Sequence, residues 1–67
     1  MAAQQWVAAH GASLVGTPVR EAVVPVREAG LTPRTILVGS ITTLEHRPDR
    51  VDLIHDADGV VTEVKAG

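Results

Sequence analysis

The sequence contains no cysteine, phenylalanine or tyrosine, and Trp6 is its one large aromatic residue. Without cysteine the fold has no disulfide, and no thiolate nucleophile is present. A single indole ring cannot provide the row of stacking surfaces on which single-stranded nucleic acids are bound. These absences exclude a disulfide-stabilised scaffold and cysteine catalysis, and they argue against a nucleic-acid partner.

Basic residues are also few. Six Lys and Arg side chains stand against eight Asp and Glu side chains, which gives a formal net charge of −2, and the basic residues form no cluster along the chain. Proteins that bind DNA or RNA need a concentrated positive surface that neutralises phosphates. We therefore expect no nucleic-acid partner.

Long apolar runs are absent as well. The first residues, MAAQQWVAAHGAS, lack the basic start and the apolar core of a signal peptide, and no stretch is long enough to span a membrane. We expect no membrane partner, and a secreted and a cytoplasmic location both stay open.

Possible metal ligands are sparse. The spacing of His10, His46 and His55 matches none of the common zinc patterns. The residues Asp56 and Asp58, followed by glycine, resemble the start of a calcium loop, but the later ligands of such a loop are missing. We expect a plain turn here, and neither a metal nor a cofactor.

The 67 residues suffice for one small domain, and the hydrophobic content of 45% is that of a folded chain.

Ser40, His55 and Asp56 could form a catalytic triad on paper, but no nucleophile elbow or oxyanion hole accompanies them. We expect a protein that is not an enzyme and that is a monomer.

One amphipathic helix is predicted after Thr17, which is the best available N-cap, with Pro18 at the first helical position. The spacing i, i+3, i+4 and i+7 defines its apolar face, formed by Val19, Ala22, Val23 and Val26. Pro25 predicts a kink or a frayed last turn, and Gly30 marks the end.

Three strands are predicted. Residues 35–38 form a β-branched run that indicates a buried strand, residues 50–55 alternate with a period of two, and residues 60–64 follow a turn at 56–59. Residues 1–13 are expected to be an N-terminal arm, and both an ordered and a disordered arm stay open. One helix and three strands indicate an α+β class.

The segment between the first two strands is unusual for a loop. Its β-branched residues and Pro48 favour a stiff, extended backbone, yet its centre is the apolar Leu44 followed by Glu45. Loop tips are normally small and polar, and departures from such local rules tend to be functional.

These residues resemble the potato type I family of serine protease inhibitors. The resemblance is carried by Leu-Val-Gly at 14–16 and by GSITTLEHRPDRV at 39–51, and it extends from about residue 14 to the last residue. It implies a single α+β domain over residues 14–67, with one helix packed on a small mixed sheet. The two central strands would pair in parallel and be joined by a long exposed protease-binding loop. It also implies substrate-like, reversible inhibition of a subtilisin-like or chymotrypsin-like serine protease.

The resemblance assigns roles to particular residues. The Leu44–Glu45 peptide would be the reactive-site bond, and Arg50 and Asp52 lie where the family usually has two arginines that support the loop from the following strand. Only half of that support is present here. Asp52 can pair with Arg50 and so compete with Glu45 for the same guanidinium, and Asp52→Arg is expected to slow cleavage of the reactive-site bond. The binding loop comprises Ile41, Thr42, Thr43, Leu44, Glu45, His46 and Arg47; we call these residues the candidate binding segment.

Simpler interpretations remain open. Leu44 could be an ordinary exposed apolar residue, and Arg50 and Glu45 could be solvated surface charges. The alternative function is a non-inhibitory protein–protein interaction module built on the same scaffold.

Overall fold

The computed structural model describes residues 2–40 and 47–67, and every structural statement below concerns those residues. They form two helices and one three-stranded sheet. The elements are α1 (Ala3–Leu14), α2 (Val19–Glu28), β1 (Thr32–Leu37), β2 (Arg50–His55) and β3 (Val61–Ala66). The predicted α+β class is confirmed. The prediction of a single helix is wrong.

The sheet is mixed, as the resemblance implied. Its strand order is β1-β2-β3, with β1 parallel to β2 and β2 antiparallel to β3. The parallel pair is joined by residues 38–49, a connection of the length that a parallel crossover requires. Its register sets Thr32 opposite Arg50 and Arg34 opposite Asp52.

The second helix is α1, which occupies most of the stretch expected to be an arm. No side chain caps its start and no acidic residue lies in its first turn, so local signals for a helix are weak. Packing against the sheet stabilises it instead: Ala3 and Trp6 are buried, and a Cβ on Gly11 would lie 3.5 Å from Val64 on β3. Because much of the packed stripe is Ala and Gly, hydrophobic periodicity does not reveal it.

The predicted apolar face of α2 is confirmed, but Thr17 is not its N-cap. That position belongs to Pro18, and the Thr17 hydroxyl donates to the Leu14 carbonyl at 2.6 Å instead. At the other end Gly30, at φ 78°, allows Leu31 N–H to donate to the Val26 carbonyl in a Schellman motif. The helix ends before Gly30, as predicted, and contains Pro25 in its interior.

The strand predictions differ in accuracy. The bounds of β2 match the predicted residues 50–55, whereas β3 begins and ends slightly later than expected. The first strand begins at Thr32, and none of its residues is buried, so the prediction of a buried strand at 35–38 is wrong. The reason is topological: β1 is an edge strand, and Leu37 and the following Val38 are 45% and 57% exposed.

The helices cover one face of the sheet. The core contains residues of both helices, of the turn between α2 and β1, and of the helix-facing side of β2 and β3: Ala3, Trp6, Ala22, Val26, Leu31, Val51, Leu53 and Val61. Since side chains alternate along a strand, the intervening residues Arg50, Asp52 and Ile54 project from the opposite face. That face carries the polar residues from which a functional site can be built.

A matched pair of valines on α2 tests this packing. Val26 is fully buried and Val24 is 49% exposed, so the same truncation to alanine should have different effects. Val26→Ala should lower the free energy of unfolding by about 2 kcal/mol through lost burial and a cavity. Val24→Ala should change it by less than about 0.5 kcal/mol. Equal losses in urea denaturation would contradict the assigned core.

Candidate functional site

A carboxylate shared by two guanidinium groups lies at the centre of the open sheet face. Asp52 Oδ1 accepts from Arg34 Nε at 3.0 Å and from Arg50 Nε at 3.1 Å, and Asp52 Oδ2 accepts from Arg34 Nη2 at 2.9 Å. We call Arg34, Arg50 and Asp52 the arginine–aspartate cluster. The bond from Arg34 is bidentate, the strongest geometry for this pair of groups.

Two of the three residues of the cluster are withdrawn from water although they lie on the face opposite the helices, whereas the Arg34 side chain is 27% exposed. Arg50 and Asp52 are each only 8% exposed. A buried charge is tolerated when it is paired and its hydrogen-bonding groups are satisfied. Here Arg50 also donates from Nη2 to the carbonyl oxygen of Gly67, which lies just after β3.

Strand register explains how these residues meet. Arg34 on β1 lies directly opposite Asp52 on β2 in the parallel ladder, and Arg50 lies two positions before Asp52 on the same face of its own strand. The predicted pairing of Arg50 with Asp52 is confirmed. Arg34 was missed because the sequence does not specify which residue of β1 lies opposite Asp52.

Arg34 bears on the expectation that only one of the family's two supporting guanidinium groups is present. A second guanidinium does lie on this face, on β1 rather than on β2, and Asp52 holds it. Asp52→Arg would therefore place a third guanidinium group beside those of Arg34 and Arg50 and would remove the carboxylate that both of them bind. The slower cleavage expected for Asp52→Arg stays a prediction, and this geometry argues against it.

Six of the seven residues of the candidate binding segment, 41–46, lie outside the described residues. The last, Arg47, is exposed, and its guanidinium lies 3.8 Å from the Asp49 carboxylate. The proposed reactive bond and the predicted support of the loop by Arg50 therefore stay predictions. Both flanks of the segment are described.

Arg47, the last residue of the segment, and the two residues after it are each held by a backbone hydrogen bond. Arg50 N–H donates to the Arg47 carbonyl at 3.2 Å, Thr32 N–H donates to the Asp49 carbonyl at 2.8 Å, and Ala3 N–H donates to the Pro48 carbonyl at 2.9 Å. Backbone bonds to β1, α1 and β2 thus fix residues 47–49 to the scaffold.

The flank before the segment is held by the parallel neighbour. Val38 N–H donates to the His55 carbonyl at 2.7 Å, and Ser40 N–H donates to the Leu37 carbonyl at 3.0 Å. Gly39 adopts φ 86°, a conformation that favours glycine, and so permits this turn. The chain thus leaves the sheet from a fixed position and returns to a fixed position.

Asp56, His55 and His10, which the sequence offered as possible catalytic or metal-binding residues, make local contacts. Asp56 Oδ1 accepts from Asp58 N–H at 2.9 Å and from Val60 N–H at 3.0 Å, which is the side-chain bonding of the predicted turn. His55 Nδ1 lies 2.9 Å from the Asp56 carbonyl, and the His10 ring lies 5.1 Å from the Trp6 ring. Within residues 2–40 and 47–67, no group of three metal-ligating side chains occurs.

Neither described helix is long and apolar enough to cross a membrane. No protein-family model matches the sequence, and the comparison with curated proteins gives no match.

Solved structures do resemble the chain. The bitter gourd trypsin inhibitor is 33% identical, with a TM-score of 0.72, over 82% of this chain and 85% of that one. The elastase inhibitor AFUEI is 19% identical, with a TM-score of 0.68, over 96% of this chain and 88% of that one. The second likeness concerns the fold alone. Both neighbours are inhibitors rather than enzymes.

The arginine–aspartate cluster predicts unequal effects for the same substitution at two aspartates. Asp52→Asn should lower the free energy of unfolding by about 3 kcal/mol, because two guanidinium groups lose their shared anion. Asp49→Asn should change it by less than about 1 kcal/mol, because the Asp49 carboxylate is 51% exposed and its ion pair is screened. Denaturant unfolding at neutral pH measures both, and similar losses would contradict the cluster.

Proposed function

Because the chain belongs to the same family of small protease inhibitors as the bitter gourd protein, we propose that it inhibits serine endopeptidases by substrate-like, reversible binding. One observation of the structure carries this proposal. The backbone is fixed at Val38 and again at residues 47–49, so the scaffold holds both flanks of the candidate binding segment.

The finer family assignment is also a proposal. The sequence TLEHRPDRV at 43–51 and Leu-Val-Gly at 14–16 support membership of the potato type I inhibitors. The parallel pairing of β1 with β2 agrees with that assignment. In this interpretation residues 41–47 enter the protease cleft in extended form, and Leu44–Glu45 is the reactive-site bond.

Leu44 suggests the target class. An apolar side chain suits the hydrophobic primary pocket of chymotrypsin-like and subtilisin-like enzymes, whereas trypsin has a carboxylate there that leucine would leave unpaired. A trypsin inhibitor and an elastase inhibitor both share this fold, so the target differs between proteins built on it. We propose a chymotrypsin-like or subtilisin-like target for this chain.

Inhibition rather than digestion would follow from the fixed flanks. A rigid segment loses little conformational entropy when it binds, which raises affinity. After cleavage, the new amine would stay close to the acyl-enzyme because Arg47 and Pro48 remain bonded to the scaffold, and religation would compete with hydrolysis. Arg50, held by Asp52 at the start of β2, would support the segment from the strand that follows it.

Titration of active protease tests the proposal. Increasing amounts of the protein are added to subtilisin, chymotrypsin, trypsin and elastase, and residual activity is measured. We expect stoichiometric inhibition of subtilisin or chymotrypsin, with the intact chain recovered by mass spectrometry. No inhibition of any of the four enzymes would favour the non-inhibitory interaction module.

The pocket-filling role of Leu44 predicts a change of target. Leu44→Arg should strengthen inhibition of trypsin and weaken inhibition of chymotrypsin, each by roughly two orders of magnitude, because the trypsin carboxylate then gains a partner. Leu37→Arg is the matched control, since Leu37 is an exposed leucine on β1 outside the candidate binding segment. Inhibition constants of each variant are measured for both enzymes. Unchanged selectivity of Leu44→Arg would contradict the assignment of Leu44 as the residue that enters the primary pocket of the protease.

The supporting role of Arg50 predicts faster cleavage when its guanidinium is removed. Arg50→Ala should accelerate hydrolysis of Leu44–Glu45 during long incubation with subtilisin, by an amount equivalent to a few kcal/mol at most. Arg27→Ala, at an exposed position on α2, should leave the rate unchanged. Mass spectrometry follows the cut chain. Equal rates in the two variants would show that the strand does not support the segment.

A further inference from the structure

The first turn of α1 lies against the flank that follows the candidate binding segment. Ala3 is the first residue of the helix and is fully buried, and its N–H donates to the Pro48 carbonyl at 2.9 Å. Pro48 directly follows Arg47, the last residue of the segment. A backbone group near the start of the sequence is therefore bonded to the base of the proposed binding site.

Pro48 makes this bond unusually important. Proline has no N–H, so its carbonyl oxygen is the only backbone group through which it can form a hydrogen bond. Its neighbours are held from elsewhere, since the Arg47 carbonyl accepts from Arg50 and the Asp49 carbonyl accepts from Thr32. The Ala3 N–H holds the carbonyl between these two, that of Pro48.

The residues after β3 lie at the same place. Gly67 N–H donates to the Arg50 carbonyl at 2.8 Å, and the Arg47 N–H lies 3.5 Å from the Gly67 carbonyl oxygen, to which it donates. A surface groove is lined jointly by Ala2 and Gln4 from α1 and its cap, by Arg47 and Pro48, and by Ala66 and Gly67. The flank thus lies between the first turn of α1 and the end of β3.

The helix end is well suited to hold a carbonyl. The first N–H groups of a helix lack partners within the helix, and the helix dipole makes this end positive. No side chain caps α1, so these donors are not taken by a capping residue. The helix itself is anchored by buried Trp6 and by the close approach of Gly11 to Val64, so a group bonded to its first turn is tied to the core.

We propose that the first turn of α1 is a positioning element for the candidate binding segment. Ala3 N–H fixes the Pro48 carbonyl, restricts movement of Arg47 and residues 48–49, and thereby strengthens inhibition and slows cleavage at Leu44–Glu45. The effect on inhibition rests on the proposed function. The restriction of the flank can be measured in the protein without any protease.

Ala3→Pro removes this one donor. Proline is favoured at the first helical position, and Ala2, at φ −76° and ψ 142°, already has the conformation required before proline. Ala3→Val is the matched control, because it also adds two carbon atoms at the buried site but keeps the N–H. Any effect of bulk alone should therefore appear in both variants.

The direct measurement is amide hydrogen exchange in the free protein. In Ala3→Pro, exchange at Thr32 and Arg50, which bond to the carbonyls on either side of Pro48, should accelerate roughly three- to tenfold relative to Ala3→Val, the range expected for one net hydrogen bond. Exchange at Leu53 in the core should be the same in both variants. Equal exchange at Thr32 and Arg50 would overturn the proposal.

Protease measurements then test the functional part. Relative to Ala3→Val, the inhibition constant of Ala3→Pro should rise, and hydrolysis of Leu44–Glu45 should accelerate, by a similar factor. Faster local exchange with unchanged inhibition and cleavage would overturn the claim that α1 positions the segment. If the wild-type protein inhibits no protease, the proposed function fails, and the exchange data alone decide whether α1 restricts the flank.

A second variant covers the case in which Ala3→Pro does not fold. A chain that starts at Gln5 lacks the donor but retains Trp6, and it should show the same local acceleration at Thr32 and Arg50. Unchanged exchange at those two amides in this variant would also overturn the proposal.

Discussion

The open face of the sheet depends on one carboxylate shared by two arginines. Asp52 joins Arg34 on β1 to Arg50 on β2, and Arg50 in turn contacts Gly67 after β3. The cluster therefore connects strands that are distant in sequence, and it fixes a guanidinium beside the chain's return to the sheet. A partner removed from such a buried arrangement leaves an uncompensated charge, which is why its members are interdependent.

Some of the fold could be predicted because local patterns and packing agree. The period of two over Arg50–His55 and the apolar face of α2 both coincide with the observed elements. The helix α1 could not be predicted, because its stripe is mostly small residues and its start has no cap, so only contact with the sheet reveals it. The exposure of β1 likewise follows from its edge position, which composition does not encode.

In the candidate site, too, local sequence patterns predict some contacts, whereas contacts between distant segments could not be predicted. Arg50 and Asp52 could be paired from sequence because they lie two positions apart on one strand, whereas Arg34 required the parallel register. The bond from Ala3 to Pro48 could not be predicted either, since backbone bonds between distant segments leave no pattern of side chains. The assignment of Leu44–Glu45 came from a family resemblance and stays a prediction, because residues 41–46 lie outside the described residues.

The central claim is that the scaffold holds both ends of the segment closely enough for a cut bond to be rejoined. Its most direct test uses chain cleaved at Leu44–Glu45, purified with both fragments associated, and incubated with a catalytic amount of subtilisin. The account predicts that intact chain reappears, and that the same ratio of intact to cleaved chain is reached from either starting form. If the cleaved chain stays cleaved while the intact chain is steadily consumed, the protein is a substrate, and the account is contradicted.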